Sequence, residues 1–172
     1  MLKTKQVMLR PLDEGDMTQT RAWRNDPATR DAMLSHRLPV TTAMEARWFR
    51  SVLDGKRSDE VHFAIADPRN GTCLGLISLR EIDPFARAAW VSILVGDTAR
   101  RGQGVGGDSL DLLLGYAGDT LGLRKLGARL AAFNKASRRL FISRGFKQEG
   151  RLKEQIFSQG GFHDLLLLGR FL

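Results

Sequence analysis

The stretch Arg100-Arg101-Gly102-Gln103-Gly104-Val105-Gly106-Gly107 sets four glycines and two arginines between the apolar run Trp90–Val95 and a leucine-rich segment. Glycine lets a ligand reach the main chain, where a side chain would stand in its way. Several backbone N–H groups can then converge at the start of a helix, where the dipole favours an anion. The arginines add permanent charge and forked donors. Such a loop is suited to cradling a pyrophosphate. Gly102, Gly104 and Gly107 also meet the spacing of a dinucleotide fingerprint, but their context argues against one. The expected fingerprint follows the first strand of a βαβ unit, with an acid some 20 residues on to hold a ribose. Here the loop follows a β-hairpin, and the next strand runs out in Ala131-Ala132-Phe133-Asn134. No Gly-Lys-Ser/Thr follows, so a Walker loop is excluded as well.

Other residues able to move protons are scattered. Glu81 and Asp83 lie two apart at the end of an expected strand, which aims both at one face together with Ile77 and Leu79. One of them could edge a cleft as a base, or both could be solvated acids beside a turn. Ser92 could hold a water beside the strand that precedes the glycine loop. His163-Asp164 could reach a cleft from the last hairpin or form a surface pair. His36 and His62 have no metal-like spacing to other ligands, so no metal is expected. Cys73, the one cysteine, falls in a strand-like run and reads as a buried core thiol rather than a nucleophile.

The elements that must position these residues follow from pattern and punctuation. An alternating run, Gln6–Leu12, predicts a strand, and Asp13 a cap for a helix over Glu14–Arg24. Asn25-Asp26-Pro27 ends it, and a short helix is expected over Ala28–Leu34. Thr42-Ala43-Met44-Glu45 reads as a capping box that opens a helix to Leu53, with Met44, Trp48, Phe49 and Val52 at helical spacing. The segments Val61–Asp67, Cys73–Ile82 and Ala88–Val95 predict three strands joined by turns at Pro68–Gly71 and Asp83-Pro84. A helix over Gly104–Leu121 carries Leu110, Leu113, Leu114 and Leu121 as its buried stripe. A strand Lys125–Ala131, a short basic helix Ser137–Ser143 and two strands, Phe146–Phe157 and Phe162–Phe171, complete the chain. This is a mixed α/β fold with a largely antiparallel sheet.

A length of 172 residues fits one domain, 1–172. No apolar run approaches the roughly 18 residues that span a bilayer, and Met1–Lys5 lacks the apolar core of a secretion signal. A single cysteine allows no intrachain disulfide, which suits a reducing cytoplasm. The net charge of +8 points to anionic partners. Its basic residues, Arg57 among them, are spread along the chain without interleaved aromatics, so nucleic acid is not the expected target.

One further spacing gives the loop a context. Arg101, Gly104 and Gly106 match Arg-x-x-Gly-x-Gly, and this resembles the acyl-CoA pyrophosphate loop of the GNAT N-acetyltransferase superfamily. Trp23-Arg24-Asn25-Asp26-Pro27, Leu76-Ile77-Ser78-Leu79, Asn134 through Gly145-Phe146, Glu149–Leu152 and Phe162-His163-Asp164 resemble family segments in the same order. The resemblance spans nearly the whole chain. It is nearest to the bacterial branch of ribosomal-protein N-terminal, spermidine and nucleotide-amino-sugar acetyltransferases.

The resemblance implies acetyl-CoA as cofactor, with its pantetheine arm along Ile93, Leu94 and Val95 and its pyrophosphate on Arg101, Gly102, Gln103, Gly104, Val105, Gly106 and Gly107. Asn134, Ser137 and Arg138 would meet the rest of the cofactor; Ser137 could instead be a solvated cap and Arg138 a surface charge. Trp23, Arg24, Asn25 and His163 would face the acceptor, and Glu81, Asp83 or Ser92 would handle its proton. The family's usual tyrosine proton donor is replaced by Phe141, which cannot donate. The implied activity is acetyl transfer to a primary amine of a small molecule, a nucleotide-linked amino sugar among the candidates, or of a protein N-terminus. A polycationic amine suits a +8 chain least. The implied assembly is a monomer or homodimer. The alternative implied by Phe141 is a catalytically silent acyl-CoA binder.

Overall fold

The computed structural model describes residues 2–34 and 38–172. His36 lies outside them. One eight-stranded sheet runs through the molecule in the order β1-β2-β3-β4-β5-β6-β8-β7. Its strands are β1 Leu2–Lys3, β2 Met8–Arg10, β3 Val61–Ala66, β4 Cys73–Asp83, β5 Ala88–Val95, β6 Lys125–Ala131, β7 Lys147–Ser158 and β8 Gly161–Phe171. Among the described residues only β5 and β6 pair in parallel, so the expected mixed and mainly antiparallel α/β sheet is present.

Helices cover both faces: α1 Met17–Asn25, α2 Pro27–Ala32, α3 Thr42–Leu53, α4 Val105–Gly115 and α5 Lys135–Ser143. Alternation along the strands sorts the faces. Ile65, Ile77, Leu79, Ala89 and Val91 join Leu110 and Leu113 of α4 and Phe141 of α5 in the main core. Ala64 and Cys73 instead meet Phe49 of α3, with Trp23, Trp48 and Leu76 packed around them. Cys73 is buried there, and burial pushes its thiol up to about 11, as an inert core thiol requires.

Several boundaries differ from those expected. The strand expected over Gln6–Leu12 is only Met8–Arg10, because the Thr4 hydroxyl accepts from the amides of Gln6 and Val7 and bends the chain ahead of it. Asp13 does form a capping box with Asp16, but around a 3-10 turn, Glu14–Asp16, that leads into α1. The cap of α3 is Thr41, not Thr42, with its hydroxyl on the amide of Met44. Glu45 is therefore free of capping, and its fully buried carboxylate turns inward to the Thr20 hydroxyl at 2.8 Å and to Arg24 at 3.3 Å. α4 stops at Gly115 and continues as one π-helical turn, Tyr116–Thr120, which leaves Leu121 at the surface instead of in the stripe.

Candidate acetyl-transfer site

The parallel pairing of β5 with β6 ends at Val91 and Ala128, while β6 continues against β8. Beyond that point the edge of β5 facing β6, Ser92–Val95, has no strand partner. The segment from Ile93 to Val95 lines a groove of about 590 Å³ there. Ile93, Leu94 and Val95 form one wall, and Asn134, Ser137 and Arg139 of the α5 segment form the other.

The glycine loop closes one end of this groove. Gly102 and Gly104 have φ of +77° and +88°, values that an L side chain adopts only with strain. Gly104 caps α4 without a side-chain hydrogen bond. The first amide to find a helical carbonyl is that of Asp108, on Gly104 at 3.0 Å, which leaves the N–H groups of Val105, Gly106 and Gly107 without a helical partner. Arg101 is braced beside them, its Nε donating to the Val95 carbonyl at 2.9 Å and its Nη2 to Thr29 at 3.3 Å. Uncapped amides, open backbone at Gly102 and a fixed guanidinium fit a pyrophosphate.

Not every residue expected at this groove takes part. Gln103 is turned away, donating to the Ala99 carbonyl at 2.8 Å. Val105 is a buried anchor, so only its main chain is available. Arg138 is exposed and does not line the groove, because the α5 helix presents Arg139 there instead. Asn134 accepts from the Ser137 amide at 3.0 Å as the α5 cap, and both residues still border the groove. Phe141 is buried edge-to-face on Phe146, with 4.9 Å between ring centres, and borders a smaller hollow beside Ser92.

A second cavity, of about 480 Å³, opens between α1, α2, α3 and the opposite face of the sheet. It shares Leu94 and Met33 with the groove, so the two spaces meet at β5. Ser92 lines it, in register with Ser78. Arg24 lies over the Trp48 ring at 4.0 Å and lines it as well. Burial pushes the Arg24 guanidinium below its usual range, against the pull of Glu45.

The other expected acceptor and acid–base residues have structural duties. Trp23 covers Gly96 so closely that a Cβ there would run into the indole. Asn25 clasps the backbone of Val40 with both ends of its amide, at 2.8 and 2.9 Å. His163 sits in the β7–β8 hairpin against Phe133, with Nε2 at 3.0 Å from the Ser158 carbonyl. Asp83 caps its own turn by accepting from the amides of Phe85 and Ala86. Ile77 and Leu79 face the α4 core, so the face assigned to the two acids is the wrong one. Glu81 leaves it only because the register breaks after Arg80 and its own φ is +52°. There Arg129 holds it with two hydrogen bonds, at 2.7 and 3.0 Å, and keeps its carboxyl below the usual range. A carboxylate so held is a poor base.

The sequence reading passed over the group best placed for that role. His62 of β3 is opposite Ser78 and lines the cavity, its Nε2 2.7 Å from Glu60. Burial pushes its pKa below 6.5 despite Glu60, so the imidazole is neutral at pH 7. The alternation that puts His62 on the cavity face, with Glu60 two residues before it, was available, but nothing in the sequence brought Arg80 or the enclosing walls to it.

The family model for the acetyltransferase (GNAT) domain matches residues 6–147. The chain belongs to the GNAT acetyltransferase family. With that family come acetyl-CoA as the donor and an amine as the acceptor. The chain is 32% identical over 137 residues to a putative phosphinothricin acetyltransferase of Bacillus subtilis, covering 78% of this chain and 80% of that one. It is 24% identical over 160 residues to a spermidine N(1)-acetyltransferase of Vibrio cholerae, covering 93% and 90%. The GNAT fold is shared with a crystal structure of spermidine N-acetyltransferase from Vibrio cholerae in complex with CoA and spermine, at a TM-score of 0.88 and 22% identity, covering 98% and 96%. It is shared also with a ribosomal-protein alpha-N-acetyltransferase in complex with coenzyme A, at a TM-score of 0.86 and 19% identity, covering 100% and 97%. Among the described residues no helix is long and apolar enough to cross a membrane.

Proposed function

We propose that this GNAT enzyme acetylates a primary amine held in the arginine-rich cavity, with acetyl-CoA in the groove on the far side of β5. The observation that carries this is the meeting of the two spaces at Leu94 and Met33. Acetyl-CoA, when bound, supplies the acetyl group as a thioester open to attack by the amine. Arg101 and the amides of Val105, Gly106 and Gly107 would hold its pyrophosphate, and the β5 edge from Ile93 to Val95 would take its pantetheine arm. Backbone N–H groups on that edge also serve as oxyanion donors, since they are fixed in place before the reaction.

His62 accepts the proton that the amine sheds as its C–N bond forms. Glu60 engages Nε2 and leaves Nδ1 to accept. Ser78 and Ser92, in register between His62 and the edge of β5, hold a water that relays this proton. Phe141 offers the departing thiolate no proton, so water supplies it. The acceptor classes open to such a site include the small-molecule amines and protein N-termini on which the relatives act.

The test is release of free thiol from acetyl-CoA by the purified protein with a panel of amines, with product mass confirming the acetyl group. Amine-dependent thiol release and a matching mass gain are expected. Binding of CoA without turnover on any amine would overturn the reading.

A further inference from the structure

Five guanidiniums converge on the acceptor cavity from five places in the chain: Arg24 of α1, Arg30 of α2, Arg47 of α3, Arg57 in the following loop and Arg80 of β4. None of the residues lining the cavity is acidic. Two carboxylates behind the lining serve these arginines. Glu45 reaches Arg24 at 3.3 Å, and Glu60 reaches Arg57 at 2.9 Å and Arg80 at 3.5 Å. Among the described residues no carboxylate pairs with Arg30 or Arg47. With His62 neutral, the cavity keeps an excess of positive charge, which Asp26 offsets only in part at Arg30. Glu81, next to Arg80 in the chain, is already held by Arg129.

We propose that the acceptor is a small amine carrying a carboxylate or phosphate group, seated among these arginines with its amine directed at Leu94. This rests on the transferase reading above and names the substrate class for it. An anion would give Arg30 and Arg47 the partner that no carboxylate supplies, in the forked geometry that suits both oxyanions. Trp48, Met44, Val40 and Leu76 provide the apolar wall between the two ends. A cavity of about 480 Å³ fits a small molecule. The same charges help the chemistry, because they disfavour the ammonium form and so raise the share of neutral amine able to attack. A polyamine meets the opposite field and is disfavoured by it.

The experiment compares acceptors of matched length: 2-aminoethyl phosphate, β-alanine, ethanolamine and, as the polycation, spermidine. At low salt kcat/KM for one of the two anionic amines should exceed that for ethanolamine by about tenfold or more, the size of one charge-assisted contact. Spermidine should fall below ethanolamine. The order of the two anionic amines separates phosphate from carboxylate recognition. Arg47→Ala should lower the anionic-to-neutral ratio by about tenfold, while Lys153→Ala on the distant β7 should leave the ratio unchanged. Calorimetric titration of the same amines into the CoA complex reads the preference without turnover. Ethanolamine or spermidine equalling the anionic amines, in turnover or in binding, overturns the substrate class alone. Anionic amines that bind preferentially but are never acetylated sustain the class and overturn the transferase reading instead.

Discussion

His62 illustrates how a single side chain acquires a chemical role from its neighbours. Its ring is nearly enclosed, stands edge-on to Trp48 at 5.5 Å and is held by Glu60. Burial is the largest influence on it and favours the neutral form, Glu60 opposes that, and Arg80 and Arg57 add to it. A base must be deprotonated to act, so turnover should hold its plateau to below pH 6.5 and then fall on the acid side. Glu60→Gln removes the one group that raises the His62 pKa, so the acid limb should move to still lower pH. His62→Gln should lower kcat about 100-fold, the low end for general-base assistance, and abolish that limb while CoA affinity stays. A pH–rate series on the three proteins checks this. An acid limb unmoved by either change would assign the proton to another group. Phe141 and Ser92 were legible as positions because they fall in recognisable segments. His62 was not, because its importance depends on Arg80 and the enclosure of the cavity, which alone give the nearby Glu60 its meaning.

Elements in this protein are placed by a few close contacts that leave no spare volume. Gly96 follows β5, and its amide donates to the Leu74 carbonyl while the Trp23 indole lies flat against its Cα. This contact sets the end of α1 against the end of β5, the point from which both the groove and the cavity diverge. Gly96→Ala should therefore cost about 1–3 kcal/mol of stability through overpacking. For a chain of this size that is roughly 2–4 °C of Tm per kcal/mol. Trp23→Leu in the same chain should recover part of the loss, since residues in contact couple by about 0.5–3 kcal/mol. Thermal unfolding of the two single variants and the double variant measures this, and strict additivity would show that the indole is not what excludes the methyl group. Such contacts also mark how far element-level reading reaches. The strands Ala88–Val95 and Lys125–Ala131 were readable to the residue, and the helix ending at Leu53 to within one residue of its cap, since pattern and punctuation agree there. The bulge that diverts Glu81 was not, because it depends on a left-handed residue that is not glycine. Trp23 and Asn25 were recognisable as a segment, yet their work is to lock α1 to Gly96 and to Val40.

Across the whole molecule the net charge of +8 looks diffuse in sequence, yet the fold gathers much of it around β5. Arg100, Arg101, Arg139 and Arg144 border the groove, and five other arginines border the cavity. This convergence was invisible in a linear reading, which took Arg57 for scattered surface charge. Local contact and general field make different predictions for coenzyme binding. Arg101 is preorganised by the Val95 carbonyl and Thr29, so it meets an anion without first ordering a long side chain. Its loss removes a charge-assisted contact, and Arg101→Ala should weaken CoA by about 1.5–3 kcal/mol, roughly 10- to 150-fold. Lys153, exposed on β7, contributes only to the field, so Lys153→Ala should change the affinity by less than about 0.5 kcal/mol. Salt separates the two effects, because screening weakens remote charges first. The Arg101→Ala deficit should thus persist at high ionic strength, while any small Lys153→Ala deficit disappears. Calorimetric titrations with CoA at low and high salt give both numbers. Equal losses from the two variants, fading together as salt rises, would mean that CoA is drawn to the net charge of the molecule and that the glycine loop does not place Arg101 against its phosphates.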